Sequence, residues 1–265
     1  MSDELKTIGL GMGAAGAAGS LFLIEDPQDP LWKSRGKALL AGKGLSESTY
    51  KTISDVGMIG ANAGVLGYYL SQFAADPKNK SNHQRILGLA NTYAWSIFTT
   101  TLTKKLVARE RPDRSDNLSF FSGHTSNSVA PSVYHFLDLH HTYGKRHPAL
   151  TYSLGSLNLV LSAVTGVSRN GANRHYIEDI AMGAITGAAI GVGSYYAFNQ
   201  ESTPDNKTNG KYGLIGGVVT ESLAIAGSAL YYALTNKSSS KKLPIQVMPL
   251  LGAGDSFGMG VGGRF

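Results

Sequence analysis

Residues 148–179 read PALTYSLGSLNLVLSAVTGVSRNGANRHYIED. No residue from Pro148 to Ser168 is charged; then Arg169, Arg174, His175, Glu178 and Asp179 arrive within eleven positions. A second uncharged run, Ile180–Gln200, follows at once. Two helix-length runs joined by a charged loop that holds Gly171 are the pattern of a helical bundle, not of a sheet.

The same pattern extends outward. Thr7–Ile24, Val56–Ala75 and Ile86–Thr103 are also free of charge. Helices are predicted at 5–24, 46–74, 82–109, 124–141, 148–167, 175–198 and 213–235. Turn-rich breaks separate them at Glu25–Pro30, Asp76–Asn82, Gly144–Pro148 and Gln200–Lys211. No long linker divides the chain, so residues 1–240 read as one all-α domain. The tail changes period: Phe257, Met259, Val261 and Phe265 alternate with glycines after the Leu243–Leu251 run and a turn at Gly252–Ser256. Residues 241–265 are therefore predicted to form a short C-terminal β-hairpin packed on the bundle.

Composition excludes several classes. The chain has no cysteine, which removes disulfides, thiolate metal sites and a cysteine nucleophile. At 265 residues it buries enough surface to fold without such staples. Length alone would let the uncharged runs span a membrane. Against this, Leu, Ile, Val and Phe make up only 24% of the chain, and mean hydropathy is −0.07. Asn62, Gln72, Asn91 and Asn158 fall inside the runs, where lipid would penalise them. A soluble protein is expected over a membrane-integral one. The first run lacks the positive flank and cleavage site of a secretory signal and reads as a core helix.

Three clusters carry chemistry. Lys104, Lys105, Arg109, Arg111 and Arg114 crowd eleven positions, and Pro112 follows Arg111. Lys104 and Arg111 are seven apart, two helical turns, so both are expected to point from one helix face. A lysine point charge beside an arginine fork suits a phosphate. Phe121-Ser122-Gly123-His124 reads as a helix start whose backbone amides favour an anion, with His124 placed to deliver a proton. His175 and Asp179, four apart, are expected one turn apart on a helix, the carboxylate holding one imidazole nitrogen and leaving the other as a nucleophilic lone pair. His140, His141 and His147 form no metal spacing, and no metal is expected.

Together, Lys104-x6-Arg111-Pro112, Ser122-Gly123-His124 and Ser168-Arg169-x5-His175-x3-Asp179 resemble the signature of the type 2 phosphatidic acid phosphatase (PAP2) family. That family is related to class A bacterial acid phosphatases and vanadium-dependent haloperoxidases. The one departure is Phe121, where the family usually has proline. The resemblance implies a PAP2/haloperoxidase-like helical bundle. It also implies that Lys104, Arg111, Ser122, Gly123 and Arg169 hold phosphate, that His175 attacks phosphorus, that Asp179 orients His175, and that His124 protonates the leaving group. The expected activity is metal-independent hydrolysis of phosphate mono- or pyrophosphate esters through a phosphohistidine. Lipid phosphates are the favoured substrates and small organic phosphates the next. No cofactor is expected, with vanadate as an inhibitor. Two alternatives are a vanadium-dependent haloperoxidase, with vanadate as cofactor, and a non-catalytic helical envelope protein that keeps a phosphate pocket. The expected setting is a bacterial periplasm or cell envelope, with peripheral membrane contact allowed, no nucleic-acid partner and the oligomeric state open.

Overall fold

The computed structural model describes residues 3–198, residue 219 and two short strands near the C-terminus. Six helices are described: α1 (Asp3–Phe22), α2 (Glu47–Ala75), α3 (Lys80–Val107), α4 (Gly123–Tyr143), α5 (Pro148–Gly171) and α6 (Ile177–Phe198). Their ends follow local chemistry. Ser46 caps α2 by accepting the Thr49 N–H, and Asn79 caps α3 by accepting that of Ser81. Pro148 occupies the first turn of α5, where its missing N–H costs nothing. The all-α expectation holds. The helix expected at 213–235 lies outside the described residues. In 241–265 only Ile245–Pro249 and Met259–Gly263 are described, as an antiparallel pair. The turn between them and any packing on the bundle lie outside the described residues.

Helix α4 is central, packed against α5 and α6; α1 lies along α3, and α2 along α5. The close contact of α4 with α6 comes from a glycine every fourth residue. A Cβ added at Gly183 would fall 2.7 Å from the Ser122 carbonyl oxygen, and one at Gly187 would fall 2.8 Å from that of Ser126. Backbone therefore lies on backbone, which fixes the N-terminal ends of both helices against each other.

The interior is unusually polar. Ser54, Thr92, Ser96, Ser126, Ser128, Ser132, Asn158, Ser162 and Thr165 are buried, while Leu157, Val160, Val164, Val167, Ile185 and Val192 face outward from α5 and α6. This corrects one argument from sequence. Gln72, Asn91 and Asn158 are buried inside the bundle, so they would not meet lipid and do not count against a membrane. Among the described residues, α5 and α6 are the two helices long and apolar enough to cross one.

About 20 Å along α4 from His124, a second polar centre closes the other end of the bundle. Arg85 binds Asp138, with Nη2 at 2.5 Å and Nε at 2.9 Å from the carboxylate oxygens. Tyr69 donates to the same carboxylate at 2.9 Å, and Tyr134 donates to the Arg85 carbonyl at 2.7 Å. Burial raises the Tyr68 and Tyr69 hydroxyls well above their ordinary pKa, so they act as neutral hydrogen-bonding groups. This centre ties α2, α3 and α4 together and sits beside the tyrosine-rich core of Tyr68, Tyr69, Tyr134, Tyr143 and Tyr195.

Candidate active site

The eight residues singled out from sequence are all buried at the opposite end from Arg85. Lys104 lies in the last turn of α3, Ser122 caps α4, and Gly123 and His124 open it. Arg169 lies in the last turn of α5, His175 in the link to α6, and Asp179 in the first turn of α6. Lys104 binds the Leu118 carbonyl. A Cβ on Gly123 would lie 3.4 Å from Lys104 Cε, so this lysine passes directly beside the start of α4.

Arg111 does not share a helix face with Lys104. Helix α3 ends at Val107 because Ala108 turns left-handed, with φ 45°. The following residues pair with a strap from much earlier in the chain. Leu31 N–H donates to Ala108 O at 3.0 Å, and Glu110 N–H donates to Trp32 O at 2.9 Å. Arg111 therefore enters the site from an extended segment, and Asp116 fixes it by accepting its Nε–H at 2.6 Å.

The state of His175 follows from a neighbour on each ring nitrogen. Arg111 Nη1 lies 3.2 Å from Nε2, and guanidinium can only donate. Nε2 is therefore the acceptor, and Nδ1 carries the proton, which it donates to the Ser119 carbonyl at 2.7 Å. The result is a neutral ring with its lone pair turned toward a cation.

The expected Asp179–His175 hydrogen bond is not made: Asp179 Oδ2 is 3.9 Å from Nδ1. Helix α6 begins at Ile177, so His175 lies before it and Asp179 is its third residue. From there the carboxylate reaches back to accept the Tyr176 N–H at 3.0 Å, the return half of a capping box. It also accepts from Ser119 Oγ at 2.6 Å and Arg109 Nη1 at 2.5 Å. Asp179 thus acts on His175 through Ser119. Burial raises the Asp179 pKa, only partly offset by Ser119 and Arg109.

His124 is backed differently. Its Nε2 lies 3.0 Å from Oδ1 of Asp55 on α2. The same oxygen is 3.7 Å from Arg169 Nη1, and Lys51 binds the other oxygen at 2.8 Å. Burial alone would raise the Asp55 pKa; the His124 hydrogen bond and charge, with Lys51, outweigh it and bring the group to about 2. Ser122 Oγ caps α4 by accepting the Thr125 N–H at 3.4 Å and also accepts from the Thr125 hydroxyl at 2.9 Å. The Ser122 N–H donates to Asp179 O at 3.0 Å, which joins the His124 and His175 halves.

Sequence reasoning missed Asp55, Ser119 and the true place of Arg109. Asp55 carried one signal: it is the only acidic residue between Glu47 and Asp76. Ser119 acts on His175 through its backbone carbonyl, which leaves no mark on residue type. Arg109 counted only as one of a basic run. It is buried between the rings of Trp32 at 4.1 Å and Tyr176 at 4.2 Å, and also binds Glu178 at 2.7 Å. Among the described residues, no group of three or more His, Asp or Glu side chains is gathered to hold a metal ion.

With this geometry in view, comparison with known proteins is direct. Residues 85–202 match the PAP2 superfamily. That stretch is similar to PAP2 superfamily sequence. It contains Lys104, Arg111, Ser122, Gly123, His124, Arg169, His175 and Asp179, and it leaves out Asp55 and the Trp32 strap. A PA-phosphatase related-family protein of Dictyostelium discoideum is 29% identical over 194 residues, covering 62% of this chain and 68% of that protein. No solved structure matches the chain.

Proposed function

We propose that the protein is a metal-independent phosphatase that hydrolyses phosphate mono- or pyrophosphate esters through a phosphohistidine at His175. The observation that carries this reading is the His175 ring itself, held with Nδ1 2.7 Å from the Ser119 carbonyl and Nε2 3.2 Å from Arg111. The match of residues 85–202 to the PAP2 superfamily supports it. In the first step the Nε2 lone pair forms a bond to phosphorus as the P–O bond to the alcohol breaks, and His124 gives that oxygen a proton. Water then attacks phosphorus, its proton passes to His124, and the P–N bond breaks to free phosphate. Lys104, Arg111 and Arg169 spread the charge on the transferring group, which is most of what phosphoryl transfer asks of a protein.

Lipid phosphates are the favoured substrate class, with small organic phosphates next, and the proposed setting is a cell envelope. The strap that leads to the site supports contact with a membrane surface. It exposes Leu31, Leu39 and Leu45 in a segment that also carries Lys33, Arg35, Lys37 and Lys43 with no acidic residue from Pro30 to Leu45. Substrate specificity decides the point: phosphate release is expected from phosphatidate and lipid pyrophosphates in mixed micelles above that from glycerol phosphate, unaffected by EDTA and inhibited by vanadate. Preference for the soluble ester would overturn the lipid assignment. Loss on chelation that returns with a divalent ion would overturn the metal-free mechanism. The haloperoxidase alternative stays in the same test: vanadate-dependent bromide oxidation by peroxide would establish it. Release from no phosphate ester would favour the non-catalytic reading.

A further inference from the structure

His124 is backed by a carboxylate from α2, a helix that carries none of the three sequence clusters and that lies outside the PAP2 match. We infer that Asp55 is the positioning residue for the general acid: it holds the Nε2–H of His124, keeps that ring cationic in the free enzyme, and leaves Nδ1–H as the proton delivered to the leaving oxygen. This rests on the reading of His124 as the acid and goes beyond it by naming the nitrogen and the group that sets its charge.

The nitrogen follows from hydrogen-bond logic. An ionised carboxylate only accepts, so with Asp55 Oδ1 at 3.0 Å from Nε2 that nitrogen bears hydrogen and is engaged. Protonation of the same ring puts the second hydrogen on Nδ1. The charge follows from the surroundings. From α3 comes Lys104, beside Gly123. From α5 comes Arg169, 3.7 Å from the shared Asp55 oxygen. Beyond them stand Arg111 and neutral His175, and Lys51 lies on α2 itself. All the charges among these are positive and disfavour an imidazolium. Of the nearby carboxylates, Asp179 is held by Arg109, Ser119 and the Tyr176 N–H, and Asp116 is held by Arg111. Among the described residues, Asp55 is the carboxylate paired with His124, at 3.0 Å. A carboxylate at that range favours the charged ring, and without it the acid would enter the reaction with no proton to give.

Asp55→Asn keeps the acceptor oxygen and removes the charge; Asp55→Glu keeps the charge on a longer stem. The His124 ring is followed by NMR titration of the full chain, with His124→Gln identifying the resonance. The expected midpoint in the wild type lies above the ordinary value of about 6.5. It should fall by about one unit in Asp55→Asn and recover in part in Asp55→Glu. Kinetically, Asp55→Asn should lose about tenfold or more in kcat on glycerol phosphate, whose alkoxide needs a proton. Its alkaline limb should move to lower pH, while p-nitrophenyl phosphate turnover stays within a few-fold. A wild-type midpoint at or below 6.5, or one that Asp55→Asn leaves in place, overturns the inference. Equal losses on both substrates with an unmoved limb overturn it too, since that is what a purely structural pin gives. If the wild type hydrolyses neither ester, the phosphatase reading fails while the titration still decides Asp55. If Asp55→Asn does not fold, the wild-type and Asp55→Glu midpoints decide it.

Discussion

The two histidines of the site are the same side chain in two kinds of backing. His175 leans on a neutral backbone carbonyl and faces an arginine, so Nε2 is the accepting nitrogen and the ring is neutral. His124 leans on a carboxylate that is ionised down to about pH 2, which favours the charged ring. An acid and a nucleophile must hold opposite protonation states in the same complex, and environment rather than residue type separates them. The difference lies in the second atom each ring touches: Ser119 O for one, Asp55 Oδ1 for the other.

The comparison breaks most severely at His175. His175→Ala is expected to fold as the wild type does, by circular dichroism, and to lose roughly 10⁴-fold or more in turnover. A folded variant with near wild-type rate would end the nucleophile assignment. At His124 the loss should depend on the leaving group. His124→Ala is expected to cost roughly 10²–10⁴-fold on glycerol phosphate, with a much smaller loss and a missing alkaline limb on p-nitrophenyl phosphate. Equal losses on both esters would make the ring a phosphate-binding group instead.

The far end of the bundle supplies the control. Asp138→Ala leaves Arg85 buried and unpaired, which should cost about 3–5 kcal/mol of stability in urea unfolding. At temperatures where the variant is folded, the shape of its pH–rate profile should match the wild type. A moved limb would mean that the two charge centres are coupled and that the histidines are not set locally. Gly183→Ala should cost about 1–3 kcal/mol, because its Cβ meets the Ser122 carbonyl. Turnover should fall with it, since Ser122 and Asp179 join the two halves there.

The smallest effect is in acid. The Asp55 pKa is lowered from 3.8 to about 2 in the folded chain. The stability it contributes is therefore full above about pH 4 and is lost as pH falls toward 2, on the order of 2 kcal/mol. Asp55→Asn should flatten that part of the stability–pH curve, and an unchanged slope would show that the ion pairs to His124 and Lys51 add nothing to folding.

Helices were legible because long uncharged runs end at polar, turn-forming residues, and the site was legible because its charged side chains fall in three short clusters. What failed to read had physical causes. Arg111 left the helix because residues 31 and 32 pair with 108–110, a contact no local pattern encodes. Asp179 missed His175 because α6 starts two residues late and its third residue caps the turn. Asp55 lies on another helix, and Ser119 works through its backbone. The polar interior hid behind an ordinary composition, because Gly, Ser and Thr shift mean hydropathy little whether they face in or out.

The central claim is that Nε2 of His175 takes the phosphoryl group. Rapid quench during turnover of p-nitrophenyl phosphate, followed by phosphorus NMR and peptide mapping under alkaline conditions, reads both the residue and the nitrogen. The expected result is a phosphohistidine at His175 bonded through Nε2, absent from His175→Ala. Phosphate on Nδ1, or turnover with no phosphorylated His175 at any quench time, would contradict the account.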